Sequence, residues 1–177
     1  MMITDELKLK NYSLFILKLQ QIGIDTTILE EKYKEQLINA IFNLNSGGEG
    51  SLLQIVMRTL TPNALKLAEL NKPEKMSVDT NTVIKVCLLM HLSKVTMFQK
   101  GKTENTFTYA PYPYGLKMGL RSIAMCEECG IHLTAEEIEA ITILDRETEE
   151  QAKFFASPLA TIIKIANELT FLHIKFI

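Results

Sequence analysis

A histidine and a lysine stand close together at the end of the most apolar stretch of this chain. Residues 83–94 read VIKVCLLMHLSK, so that His91 precedes Lys94 by three positions. An imidazole can bind a metal ion or carry a proton, and a lysine can hold an anion. Lone histidines in apolar helices are more often hydrogen-bonded structural residues, and charged side chains more often form ordinary salt bridges. We therefore keep His91 as a candidate site residue, with Lys94 and Arg121 as candidate anion contacts.

A second group of reactive side chains lies near residue 130. Cys126 and Cys129 form a C-x-x-C pair, and His132 follows, which is how a zinc ligand set begins. A structural zinc ion normally has four protein ligands, and no fourth stands nearby. The third cysteine, Cys87, makes the count odd in a chain for which we predict no secretion signal. We expect reduced thiols, with Cys126 and Cys129 half-buried.

The residues of the apolar run must be positioned by a helix. A helix that is apolar nearly all the way round is normally the buried centre of a helical domain. The sequence therefore predicts a central helix through residues 83–94, capped by Ser77 or Asp79, with Met90 and His91 in the interior.

Helical patterns also precede this central segment. Apolar residues at helical spacing predict a first helix over residues 4–21, stopped at Gly23, and a second from Asp25 to Leu44. Ser51 can cap a third helix, which Pro62 either kinks or restarts.

The second half begins with a change of pattern. Residues 95–99 and 106–109 are rich in β-branched and aromatic side chains and predict a small β-hairpin. Helices are expected over residues 116–128 and 134–145, the latter with a Thr134–Glu137 capping box, and after Ser157.

Composition favours one soluble domain over residues 1–177. Apolar residues make up 47% of the chain and charged residues 23%, and the formal charge is −2, which does not favour nucleic acid as a partner. The longest apolar run is shorter than the ~18 residues that a membrane span needs. We expect a cytoplasmic protein that contacts neither membrane nor nucleic acid.

The central run resembles that of the HD superfamily of metal-dependent phosphohydrolases. The central helix of that family reads Leu-Leu-His-Asp-Leu-x-Lys, and residues 88–94 read LLMHLSK, with Met90 and His91 in place of the metal-binding His and Asp. Residues 166–169, ANEL, are similar to the family's Ala-Asp-x-Leu, with Asn167 for the aspartate. Residues 50–54, GSLLQ, are similar to the segment that carries the first histidine, with Gln54 in its place.

The resemblance implies a mainly α-helical fold. We expect an HD-like helical bundle over residues 47–172, with the small β-hairpin between the central helix and the helices that follow it. Residues 1–45 are expected to form N-terminal helices that pack on this core.

The same resemblance implies a degenerate site at Gln54, Met90, His91 and Asn167. Neither family carboxylate remains, and a thioether is a poor ligand for the cations of phosphate chemistry. We therefore expect no bound metal, no cofactor and no catalytic residues. The leading hypothesis is an inactive HD-like domain that works as a binding, regulatory or assembly module.

Other hypotheses stay open at this point. One is a divergent metal-dependent phosphohydrolase that acts on a nucleotide or another phosphoester. Another is a helical domain that associates through exposed Met and aromatic residues. The partner is an unidentified small molecule or protein, and formation of a homo-oligomer is left open.

Overall fold

A computed structural model describes residues 4–43, 49–70, 77–100, 107–109, 117–145 and 156–175. For residues 41–43, 49–50, 98–100, 107–109 and 173–175 the description is of the backbone alone. The architecture is mainly α-helical. Within this described part, every helix is too short or too polar to cross a membrane.

The N-terminal helices are α1 (Asp5–Gln21) and α2 (Thr27–Asn39). The Thr4 hydroxyl caps α1 by accepting the Leu7 N–H, and Gly23 has a φ of 84°, as the predicted stop requires. The predicted end of α2 at Leu44 is wrong. The helix stops five residues earlier because the backbone of β1 (Ile41–Asn43) pairs antiparallel with β2 (Glu49–Ser51). Pairing with a separate segment overrides the helical spacing of the apolar residues.

The next helix is continuous through a proline. It comprises α3 (Leu52–Ile55), a π-helical segment (Val56–Leu60) and α4 (Thr61–Leu70). Ser51 caps it as predicted, with its hydroxyl accepting the Gln54 N–H. Pro62 has no N–H to donate, and the wider π turn accommodates it while the Thr61 hydroxyl donates to the Val56 carbonyl at 2.8 Å. The three helical segments therefore follow one another without a break, and an α-helical segment begins at Thr61, directly before the proline.

The central helix is α5 (Thr80–Leu89), and Asp79 caps it by accepting the Thr82 N–H at 2.8 Å. Val83, Val86 and Leu89 are fully buried. The helix packs against α1, the π-helical segment and α4, and against two later helices, α7 (Ala135–Thr142) and α8 (Pro158–Lys175). The prediction of a buried central helix is confirmed.

The predicted end of α5 is wrong, because the helix does not reach Lys94. It ends at Leu89, Met90 and His91 form a turn, and a 3-10 segment (Leu92–Thr96) follows. The hydroxyl of Ser122 donates to the Met90 carbonyl and accepts the Ser93 N–H, both at 3.0 Å. These bonds satisfy backbone groups that a continuing helix would have used.

After the 3-10 segment, the backbone of β3 (Phe98–Lys100) pairs antiparallel with β4 (Phe107–Tyr109) over three residue pairs. Residues 101–106, which would form the turn of the predicted hairpin, lie outside the described residues. Two strands of this length are marginal by themselves, so the helices carry the architecture.

The C-terminal half contains α6 (Met118–Glu128), α7 (Ala135–Thr142), a 3-10 segment (Ile143–Asp145) and α8 (Pro158–Lys175). Gly130 has a φ of 70°, and this left-handed conformation ends α6. The predicted capping box between Thr134 and Glu137 is present, and the Ser157 hydroxyl accepts the Ala160 N–H at the start of α8. Helix α8 packs against α4 and α7, and the buried apolar side chains from all these helices form one cluster.

Candidate functional site

A cavity of about 410 Å³ lies where four elements of the second half meet. They are the turn after α5, the start of α6, the end of α7 with its 3-10 segment, and the middle of α8. Its walls combine polar side chains with apolar ones. The polar lining residues are His91, Lys94, Lys117, Asp145 and Asn167. The remaining lining residues are Met90, Met118, Gly119, Ile141, Leu144 and Phe171.

The turn after α5 contributes a buried histidine. His91 Nε2 lies 3.0 Å from the amide oxygen of Asn167 on α8, and each of the two residues is 5% exposed. Burial, with the nearby charge of Lys94, lowers the pKa of His91 from 6.5 to about 3, although the hydrogen bond to Asn167 acts in the opposite direction. The imidazole is therefore neutral at pH 7. Since an amide oxygen only accepts, Nε2 carries the proton.

Lys94 lies one helical turn beyond His91 and reaches the same cavity. Its ammonium nitrogen stands 5.8 Å from the centroid of the Phe171 ring, which is within the range of a cation–π contact. Burial lowers the pKa of Lys94 from 10.5 to about 8. An amine in this environment is charged at pH 7 but loses its proton far more easily than an exposed lysine.

The opposite wall is the start of α6, where Asp145 is held by the helix. Its carboxylate accepts the backbone N–H groups of Gly119 at 2.9 Å and Leu120 at 3.3 Å. A carboxylate at a helix N-terminus is stabilised by the helix dipole and by N–H groups that lack helical partners. Lys117 donates to the Asp145 carbonyl at 2.8 Å. Lys117 thus lies at the rim of the cavity, whereas the carboxylate of Asp145 forms its hydrogen bonds with the backbone at the start of α6.

Gly119 allows α6 to approach this wall closely. A Cβ atom at this position would lie 2.6 Å from Asp145 Oδ2 and 2.7 Å from the Ile141 carbonyl oxygen. Backbone is among these neighbours and cannot give way cheaply. The absence of a side chain at residue 119 therefore sets the spacing between α6 and the end of α7.

Four sequence-predicted site residues line this cavity, namely Met90, His91, Asn167 and Lys94. Gln54 and Arg121 are not among its lining residues. Gln54 lies on α3, and Arg121 lies on α6. The sequence carries no specific signal for Lys117 or Phe171, because a lysine before a helix and an aromatic residue on an apolar helix are common features.

The donor atoms of the cavity do not fit a divalent cation. His91 directs its Nε2 proton at Asn167, Asp145 accepts two N–H groups, and Met90 offers a soft sulfur. Lys94 and Lys117 add positive charge to the same walls. Nowhere in the described ranges do three or more His, Cys, Asp and Glu side chains lie close enough to hold a metal ion.

The three cysteines are buried, and none of them is among the residues that line the cavity. Cys87, Cys126 and Cys129 are free thiols. Burial raises the pKa of Cys87 and of Cys126 to about 12, so these two thiols stay protonated at pH 7. Cys126 and Cys129 are 0% and 4% exposed, so both are more deeply buried than the half-buried thiols that the sequence predicts.

No family model, curated protein or solved structure matches this chain.

Proposed function

We propose that this protein is an inactive HD-like domain whose cavity binds a small organic molecule. The observation that carries the proposal is that Met90, His91 and Asn167, three of the four positions where the resemblance places lost metal ligands, line one cavity. The side chains there are thioether, neutral imidazole and amide. These groups form hydrogen bonds and apolar contacts, and they supply little charge to compensate for a desolvated divalent ion.

The cavity has the character of a small-molecule site. Such sites have volumes of about 300–1,000 Å³, with mainly apolar walls and a few polar groups that orient the ligand. Here Met118, Ile141, Leu144 and Phe171 supply apolar surface beside the polar side chains. The volume of about 410 Å³ corresponds to a small metabolite rather than to a polymer segment.

Binding at this position would connect segments that are distant in the chain. A ligand in the cavity touches the turn after α5, the start of α6, the end of α7 and α8 at once. A ligand that binds only the folded state stabilises it by about 2.7 kcal/mol at a hundred times its Kd. Occupancy of the cavity would thus be coupled to the stability of the fold, which suits a binding or regulatory module.

The first test is to determine metal content and ligand binding with the same purified protein. For protein purified without a chelator or a histidine tag, we expect elemental analysis to find much less than one metal ion per protein molecule. We also expect a metabolite screen by thermal shift to find ligands whose stabilisation is lost in Leu144→Trp. Leu144 is 36% exposed and lines the cavity, whereas the control Ile138→Trp changes a residue of similar exposure on α7 that is not a lining residue.

Two results would contradict the proposal. The first is stoichiometric Mn, Fe, Ni or Zn that is lost in His91→Ala. The second is hydrolysis of a phosphoester that is abolished by alanine at His91 or Asn167. Either result would favour a divergent phosphohydrolase instead.

A further inference from the structure

We propose that Lys94 forms a reversible imine with a small anionic aldehyde or 2-oxo acid that enters the cavity. This inference rests on the proposed function, since it requires that the cavity admits a small molecule. The cavity combines a partly buried amine, a second lysine at the rim and a neutral histidine, and this combination suits a carbonyl compound with a negative charge.

The position of the Lys94 amine supports nucleophilic chemistry. Its nitrogen lies over the ring of Phe171, and Lys94 lines the cavity together with His91 and Asn167. Burial in this setting favours the uncharged amine and lowers the pKa of Lys94 to about 8. About a tenth of such lysines are neutral at pH 7, against less than about a thousandth at the ordinary pKa. Only the neutral amine has the lone pair that attacks a carbonyl carbon.

The reaction is balanced without an oxidant or reductant. The amine lone pair forms a C–N bond to the carbonyl carbon, and the carbonyl oxygen leaves as water with two protons. The amine supplies one of these protons to the departing oxygen, and solvent supplies the other. One amine, one carbonyl and one proton thus give one protonated imine and one water molecule, and hydrolysis reverses the step.

The surrounding groups suit the charges of this product. The protonated imine remains a cation near the face of Phe171, where the Lys94 ammonium already lies at 5.8 Å from the ring centroid. Lys117, which lines the same cavity, supplies a second positive charge that can attract a carboxylate of the ligand. Asp145 does not cancel this attraction fully, because its carboxylate accepts two N–H groups of α6.

The experiment is reductive trapping on the full chain. The protein is incubated at pH 7 with glyoxylate and cyanoborohydride, digested, and mapped by peptide mass spectrometry. We expect Lys94 to be carboxymethylated on the order of tenfold or more faster than Lys66, a lysine on the exposed side of α4. The rate at Lys94 should rise with pH and level off above about 8.

Variants and ligand analogues distinguish the effect of the ligand's charge on labelling from the effect of its carbonyl group. Lys117→Ala should slow the labelling of Lys94 by glyoxylate severalfold more than it slows labelling by uncharged acetaldehyde. Leu144→Trp should slow labelling by both compounds, and Ile138→Trp should slow neither. Glycolate, which has the carboxylate without the carbonyl, should compete with glyoxylate.

The labelling rates of Lys94 and Lys66 in the wild-type protein test the inference even if a variant fails to fold. Labelling of Lys94 no faster than that of Lys66 overturns the imine. If ligands found by thermal shift still depend on an open cavity, the proposed function survives that result. Loss of both the selective labelling and the cavity-dependent stabilisation overturns the two together.

Discussion

His91 Nε2 lies 3.0 Å from the Asn167 amide oxygen, and this bond joins the end of α5 to the middle of α8 across 76 positions of the sequence. Both side chains are buried beside the cavity. Neutral imidazole and amide form this pair without a net charge, so the bond needs no counter-ion in the interior. The same two positions are those at which the HD resemblance places carboxylates.

Replacing Asn167 by leucine should destabilise the protein. The change leaves the buried Nε2–H of His91 without this acceptor, which costs about 1–3 kcal/mol. Urea unfolding of wild type and Asn167→Leu measures the difference. The matched control is Glu168→Gln, an exposed neighbour on the same helix that should change stability little. Equal stability of wild type and Asn167→Leu would mean that the hydrogen bond contributes nothing.

The pKa of His91 predicts a loss of stability in mild acid. The unfolded chain takes up this proton near pH 6.5, whereas the folded protein takes it up only near pH 3. Between these values the unfolded state binds more protons, so the free energy of unfolding falls as pH decreases. The contribution of His91 to the free energy of unfolding is complete above pH 6.5. Its loss lowers the free energy of unfolding by about 2 kcal/mol between pH 7 and pH 5.

Measurement of unfolding free energies at pH 7 and 5 for wild type and His91→Gln isolates that contribution. We expect the variant to lose less stability than wild type over this interval, because glutamine does not titrate. A pH dependence identical in both proteins would contradict the assignment to His91.

Alanine at residue 119 should push α6 away from the end of α7. The new Cβ would meet Asp145 Oδ2 and the Ile141 carbonyl at less than 3 Å. We expect Gly119→Ala to lower the free energy of unfolding by about 1–3 kcal/mol, and to weaken binding in the cavity. Ala124→Ser, an exposed change on the same helix, serves as the control in chemical denaturation. A Gly119→Ala protein as stable as the control would show that the helix shifts at no cost.

Ser122 should prove essential for the turn that carries His91. Ser122→Ala removes the partner of the Met90 carbonyl and of the Ser93 N–H, both of which are buried. An expected cost of about 1–3 kcal/mol follows from leaving such groups unsatisfied. Thermal unfolding and ligand titration of Ser122→Ala, with exposed Thr161→Ala as the reference, measure this cost and its effect on the cavity. Unchanged binding and stability would refute the role given to Ser122.

Local sequence patterns were sufficient to predict most helix starts and the core helix. Asp79, Ser51 and the Thr134–Glu137 pair act at their own helix ends, with hydrogen bonds that span three residues. Helix α5 is apolar around most of its circumference, so exposing any of its faces to water would cost free energy. Its burial therefore follows from its sequence. These features depend on spacing within a few residues and can therefore be predicted from the sequence.

Tertiary structure alone decided where α5 and α2 end and which side chains share the cavity. Ser122 holds the Met90 carbonyl from 32 positions away, and the pairing of β1 with β2 stops α2. Lys117 and Phe171 line the same cavity as Lys94 only because α6 and α8 pack around the turn after α5. Hydrogen bonds and close packing between distant segments have no period in the sequence, so their outcome appears only when the chain is folded.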